Sequence, residues 1–259
     1  MMNTEIRAEE ARQKIDLICQ AAQMILENGG ETYRVEETAR RMAKGFGLEQ
    51  LNITAFPTSI FIEAEGCVRV SRISRRGTDL TRLERTNSVS RSVEHGEMDV
   101  QQAKAALDGI ARAPGLPQHV LVLASALAAA SFCLAHGGGL GAFAVTFIIG
   151  MLVQLVQPLF SHMEMGALFG NFAGGFLTAA IAESVAQFIP FGSVNAVIIG
   201  GIMPLLTGLL MTTAMRDTMY GDLVSGVTRA TEALLLAASV ALGVYVGLET
   251  VAVLGGVLL

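Results

Sequence analysis

Apolar residues along the chain follow two rhythms, and the change comes near residue 117. In the first stretch Ile15, Ile18, Ala22 and Ile25 recur at steps of three and four, which sets them on one face of a helix. Asn28-Gly29-Gly30 ends that helix, because glycine tolerates the left-handed backbone that a helix C-terminus often adopts. Thr32 is then expected to cap a second helix, with Glu36 and Glu37 in its first turns and Val35, Ala39, Met42 and Phe46 on its inner face. From Leu51 the pattern turns strand-like over 51–56, 59–64 and 68–73, broken by Pro57 and by Glu65-Gly66. Two more helices are predicted at 80–95 and 99–112, and Pro114-Gly115-Leu116-Pro117 closes the segment.

Beyond that boundary the apolar runs are long enough to cross a membrane. A helix needs about 20 apolar residues to traverse about 30 Å of hydrocarbon, and runs at 118–135, 140–159, 165–189, 194–215 and 231–253 approach or exceed that length. The predicted fold is an α-helical membrane protein: a small cytoplasmic α+β domain, residues 1–116, followed by a five-span helix bundle, residues 117–259. The fourth connection, 216–230, reads as a longer loop between spans.

Charge sharpens this division. Of 259 residues, 52% are apolar and 16% charged, against about 25% charged in ordinary soluble domains. Residues 1–116 hold 16 of the 18 Lys and Arg and 17 of the 23 Asp and Glu; the other 143 residues carry eight charges and no lysine. Both arginines of the apolar part, Arg216 and Arg229, lie in the fourth connection. With five crossings that connection shares a side with the arginine-rich first domain, as the positive-inside rule requires. No apolar stretch follows the first charges, so no cleavable leader is expected, and the domain is placed in the cytoplasm with the spans in the inner membrane. Cys19, Cys67 and Cys133 are odd in number and far apart, which suggests neither a disulfide framework nor a zinc site.

Sparse charge makes each intramembrane ionisable group a candidate. Glu183 lies inside the third run, where an acid costs about 2.5–3.5 kcal/mol on insertion scales. Gly166, Gly170 and Gly174 form a ridge on that helix, and the nine residues from Gly174 to Glu183 turn the acid to the opposite side. The alternative is an acid near the outer surface held by a local hydrogen bond. In the fourth run Gly200-Gly201, Pro204 and Thr207-Gly208 predict either a broken helix of the kind that cradles transported solutes or a tolerated kink. Arg216, Asp217, Asp222 and Arg229 are either a gate or a solvated loop. Thr146, Gly150, Gln154 and Gln157 make a polar stripe on the second run, and Asn171 and Thr178 share a face of the third. Seven arginines between Arg69 and Arg91 suit anionic headgroups or a solvated face; nucleic acid is not expected, because no aromatic platform accompanies them.

Enzyme signatures are wanting. His136-Gly137-Gly138-Gly139 resembles an oxyanion loop but no G-x-S-x-G elbow accompanies it, and no Walker A, H-E-x-x-H or dinucleotide fingerprint occurs. His95, His119, His136 and His162 lack ligand spacing. No enzymatic activity, metal or cofactor is expected, and transport energy would come from an ion gradient, the solute's own gradient or a partner.

Gly30-Glu31-Thr32-Tyr33-Arg34-Val35-Glu36, then Phe56-Pro57-Thr58, then Arg216-Asp217 through Gly221-Asp222 to Gly226 and Arg229 resemble the threonine/serine exporter family over nearly the whole chain. The resemblance is to the larger subunit of its split type, and it implies a smaller hydrophobic membrane subunit as partner. It also implies a small-molecule cargo of serine or threonine type, with a small dicarboxylate such as succinate as the alternative. Oligomerisation is a further expectation, and the lipid bilayer is the surrounding medium. Relatives commonly have Pro-Gly where this chain has Thr207-Gly208, with Pro204 three residues earlier. The expected pathway comprises Glu183 as ammonium or proton site, Asp217 and Asp222 with Arg216 and Arg229 as gate, and Pro204, Thr207, Gly208, Asn171 and Gln154 as cradle. Glu31, Thr32, Tyr33, Arg34, Glu36, Pro57 and Thr58 form the motif of the first domain. A membrane-anchored scaffold or sensor that transports nothing is the alternative from another class.

Overall fold

The computed structural model describes residues 2–48, 50–74, 76–160 and 166–258. Arg75, His162 and the predicted start of the third span at Met165 lie outside the described residues. The chain forms two compact units, each assembled from two stretches: Met1–Pro114 with Leu209–Ala230, and Gly115–Gly208 with Thr231–Leu259.

The first unit begins with helices α1 (Met2–Glu27) and α2 (Thr32–Gly45), strands β1 (Leu51–Phe56), β2 (Ser59–Ala64) and β3 (Cys67–Arg72), and helices α3 (Leu80–Glu94) and α4 (Val100–Arg112). The expected inner faces are the ones buried: Ile15, Ile18, Ala22 and Ile25 of α1 meet Val35, Ala39, Met42 and Phe46 from the α2 region in one core. That core also takes Ile60 and Ile62 from β2 and Leu107 from α4. The sheet is antiparallel in the order β1-β2-β3, with Phe56 opposite Ser59 and Ala64 opposite Cys67. Pro57-Thr58 and Glu65-Gly66 are therefore two-residue hairpin turns, and Glu65 at φ 50° and Gly66 at φ 73° supply the positive angles the second one needs.

Two expectations are corrected in this unit. Glu31, not Thr32, occupies the N-cap position of α2 and makes no side-chain cap bond. Thr32 is instead helical and buried. The connection 216–230 is not a long loop. Helix α9 (Gly208–Met219) runs through Arg216 and Asp217, Tyr220–Asp222 make a tight turn with Gly221 at φ 91°, and α10 (Leu223–Leu258) starts eight residues before the expected span. The Asp222 side chain accepts the Ser225 N–H at 3.1 Å and its carbonyl accepts the Gly226 N–H at 3.0 Å, so the acid starts α10 as a helix cap.

The second unit contains α5 (Gln118–Ala135), α6 (Leu140–Val156) continued by a 3-10 turn at Gln157–Phe160, α7 (Gly166–Phe188), α8 (Val194–Ile202) continued by a 3-10 turn at Met203–Leu205, and the greater part of α10. Among the described residues four helices are long and apolar enough to cross a membrane, and α8 with α9 makes a fifth if the interrupted pair is one span. Small residues let these helices approach. A Cβ on Gly200 would stand 2.7 Å from the Ala129 carbonyl oxygen of α5, and one on Gly243 of α10 would collide with the Phe172 carbonyl oxygen of α7. The described residues are thus mostly helical, with four or five candidate spans and one small sheet.

Gly243→Ala is expected to destabilise the protein by about 1–3 kcal/mol, because the backbone of α7 cannot yield cheaply. Gly109→Ala, in an exposed turn of α4 with open space around it, is expected to stabilise by about 0.5–1 kcal/mol. Thermal unfolding of both variants in the same detergent checks the pair.

Candidate functional site

The residues that carry polar chemistry gather in two places, one in each unit. In the first unit the turn and first helical turn at 30–34 meet the α9–α10 hairpin. Asp217 is 0% exposed and Arg229 3% exposed, with Arg229 Nε 3.0 Å from Asp217 Oδ2. Both ends of the pair are fastened to the same backbone. The Thr32 N–H donates to Asp217 Oδ1 at 3.0 Å, and Arg229 Nη2 donates to the Gly30 carbonyl at 2.8 Å. The Thr32 N–H is one of the groups that a helix N-terminus leaves without an intrahelical acceptor, so a carboxylate from elsewhere in the chain satisfies it.

A second ion pair flanks the first. Glu31, 4% exposed, accepts from Arg216 Nη1 at 2.7 Å and lies 2.9 Å from Arg34 Nε. Arg34 Nε also donates to the Tyr33 hydroxyl at 3.3 Å, and the Tyr33 ring stacks on Tyr220 at a centroid distance of 4.0 Å. Glu36 points elsewhere, accepting from the Ala55 N–H at 3.4 Å and pairing with Arg40 at 2.8 Å, which ties α2 to β1. Pro57 is buried and Thr58 exposed in the first hairpin; the Thr58 carbonyl accepts from Ile73 at 2.8 Å. The structure therefore brings together Glu31, Thr32, Tyr33, Arg34, Arg216, Asp217 and Arg229. Asp222 takes part as the adjoining cap, while Glu36, Pro57 and Thr58 serve the sheet. Arg216 is exposed, but the loop reading fails for Asp217 and Arg229, whose charges are removed from solvent.

The second place is the interruption after α8. Pro204 has no N–H to give the helix, and the backbone leaves helical geometry at Leu206, φ −77° and ψ 121°, before α9 starts at Gly208. The freed Leu205 carbonyl is approached by Asn171 Nδ2 of α7 at 3.4 Å, and Asn171 Oδ1 accepts from Gln157 Nε2 at 3.3 Å. Asn171 is 5% exposed, whereas Pro204, Thr207 and Gly208 are exposed. Gln154, half-buried, stands apart from this chain of bonds; its neighbour in the stripe, Gln157, makes the contact. Glu183 is half-buried on α7 and makes no hydrogen bond or ion pair among the described residues.

Two participants escaped the sequence reading. The partner of the buried Arg229–Asp217 pair is backbone at Gly30 and Thr32, 199 and 185 residues away, and no local pattern announces a backbone acceptor. Gly243 and Gly247, spaced four apart in α10, did carry a signal of close helix approach, and both face the backbone of α7.

A sequence profile of the family described as "Putative threonine/serine exporter" matches residues 16–251. The chain is 26% identical over 258 residues to a "Probable threonine/serine exporter" of Mycobacterium tuberculosis, covering 93% of this chain and 46% of that protein. It is 22% identical over 244 residues to the "Probable succinate transporter subunit YjjP" of Klebsiella aerogenes, covering 92% of this chain and 94% of that one. No solved structure matches.

Arg229→Ala leaves a buried carboxylate without its cation and is expected to cost about 3–5 kcal/mol. Arg216→Ala should cost about 1 kcal/mol or less, since Glu31 keeps Arg34 and the Arg216 side chain is 56% exposed. The Asp217→Ala/Arg229→Ala double variant should lose less than the two single losses combined, and a double-mutant cycle from chemical denaturation measures that coupling.

Proposed function

The chain belongs to the threonine/serine exporter family, and from that premise we propose that it is the larger subunit of a two-part secondary exporter for small polar amino acids. The observation that carries the reading is the interrupted fourth span, whose freed Leu205 carbonyl is taken by Asn171. Broken helices present backbone groups to a solute inside a membrane, where other polar donors are scarce. The spans of a multi-pass membrane exporter fit the family and the apolar helices together.

Residues 1–116 form the cytoplasmic domain in this reading, and 117–259 the transmembrane domain in the inner membrane. Segment 209–230 packs in one unit with 1–114, which supports assigning both to one side. The chain between them then crosses an even number of times, which α5, α6, α7 and the α8 segment supply. Residues 194–205 rise only about 18 Å, so the residues after Leu205 complete that crossing. Pro204, Thr207, Gly208 and Asn171 make the cradle, with Gln154 beside it on α6. Glu183 is the ammonium or proton site, and the Glu31–Arg216 and Asp217–Arg229 pairs form the cytoplasmic gate. The word "subunit" in the name of the Klebsiella relative supports a separate smaller subunit. The same relative's name favours a second reading, in which the cargo is a small dicarboxylate.

Efflux of labelled serine, threonine and succinate from cells expressing this chain with and without the smaller subunit tests both readings. Serine or threonine efflux that needs both subunits is the expected result; succinate efflux alone would transfer the assignment to the second reading, and no efflux would sink both. Asn171→Leu should lower the flux by up to about tenfold, the equivalent of one lost hydrogen bond. Glu183→Gln in liposomes holding both subunits is expected to abolish the pH dependence of flux, and a flux that still follows pH would remove Glu183 from coupling.

A further inference from the structure

In the first unit two guanidinium groups share one carboxylate. Buried Glu31 meets Arg216 Nη1 at 2.7 Å and Arg34 Nε at 2.9 Å, while those two arginine side chains are 56% and 36% exposed. Arg34 Nε also reaches the Tyr33 hydroxyl; among the described residues neither arginine makes a further hydrogen bond or ion pair. The cluster therefore keeps one net positive charge, with both Nη groups of Arg34 and the Nε and Nη2 of Arg216 unassigned. Beside it two of the chain's three tyrosines, Tyr33 and Tyr220, stack at 4.0 Å, and Tyr220 is exposed. Met219, three residues after Arg216 on α9, shares its side of the helix and is 76% exposed; Leu223, at the start of α10, is 61% exposed. Exposed arginine, tyrosine and aliphatic side chains together match the headgroup level of a bilayer, where tyrosine is enriched and arginine extends its charge out of the apolar layer.

We propose that Arg34 and Arg216 bind the phosphate of an anionic membrane phospholipid, with the Tyr33–Tyr220 stack beside its glycerol and Met219 and Leu223 along its acyl chains. This goes beyond the exporter reading and holds whatever solute the chain moves. Because both arginines touch one carboxylate, a single phosphate spans them. A phosphodiester carries one negative charge and oxygens that accept from two guanidinium forks, so it neutralises what Glu31 leaves over. Arg34 lies in the first turn of α2, where the helix dipole also favours an anion. A zwitterionic lipid fits less well, since it brings its own cation beside two guanidinium groups. Free phosphate supplies the anion but leaves Met219 and Leu223 uncovered. A lipid held by both arginines also joins the start of α2 to the end of α9, stretches far apart in the chain, and so stabilises the folded state.

Titration of the full chain in an uncharged detergent with phosphatidylglycerol, phosphatidylcholine and inorganic phosphate tests the site, read by thermal unfolding and, for the two lipids, by native mass spectrometry. Phosphatidylglycerol is expected to bind at least about tenfold more tightly than phosphatidylcholine and to raise the unfolding temperature. Arg34→Gln and Arg216→Gln each leave Glu31 one arginine and should keep the fold; each should erase most of that preference, and if one fails to fold the other decides. Arg85→Gln and Arg91→Gln, at exposed positions of α3, should leave the preference unchanged. A preference that survives both Arg34→Gln and Arg216→Gln overturns the site. One lost equally in the α3 variants overturns it too, because the attraction is then to the arginine-rich segment at large. Protection by inorganic phosphate equal to that by phosphatidylglycerol makes the occupant a free anion and overturns the lipid. These measurements involve neither cargo nor a second subunit, so their failure leaves the exporter reading standing, and failure of efflux leaves this site standing.

Discussion

The buried ion pair between Asp217 and Arg229 governs how the first unit is put together. Neither charge can remain in that interior alone, and each is anchored to backbone of the 30–32 segment at 3.0 and 2.8 Å. The two residues sit on different helices, so α9 and α10 must fold back as a hairpin, which Gly221 and the Asp222 cap permit. The hairpin is consequently turned inside out relative to one from a soluble protein. Thr213, Asp217, Ser225 and Arg229 face inward, while Leu209, Met215, Met219, Leu223, Val224 and Val227 are exposed. Such a surface is unsuited to water and suited to hydrocarbon or to an apolar partner.

How much of this was visible in the residues depends on whether the information is local. The helices and strands of 1–112 follow from periodicity, since Ile15, Ile18, Ala22 and Ile25 can share a face only in a helix, and Pro57 and Glu65-Gly66 mark their own turns. Asp217 and Arg229 stood out because charges are rare beyond residue 117. What the sequence could not display was their burial: a string of charges near a glycine reads as a loop unless its partners are known, and those partners are backbone groups almost 200 residues earlier. Thr32 was misassigned as a cap for the same reason. Its side chain suits a cap, but Glu31 takes that position while Thr32 turns into a core built by α9.

The second unit is legible in which helices are long and apolar enough to span, and less so in their contacts. Length and apolarity determine where helices can cross, but lipid offers no pattern of polar faces from which to deduce packing. Gly200 and Gly243 mark two crossings after the fact, since each is pressed against the backbone of a neighbour. An interruption after α8 is one of the two readings that Pro204 and Gly208 allow, and Asn171 is a candidate on its own helix, yet only the fold joins Asn171 to Leu205. Gln157 replaces Gln154 in that chain of bonds because Gln157 begins the 3-10 turn that ends α6.

The two polar centres differ in what they can distinguish. At the interruption the groups are amides and carbonyls, neutral dipoles that would satisfy many small polar solutes without discriminating by net charge. At the Asp217–Arg229 pair the groups are full opposite charges excluded from water, where an unmatched charge is penalised far more than an unmatched dipole.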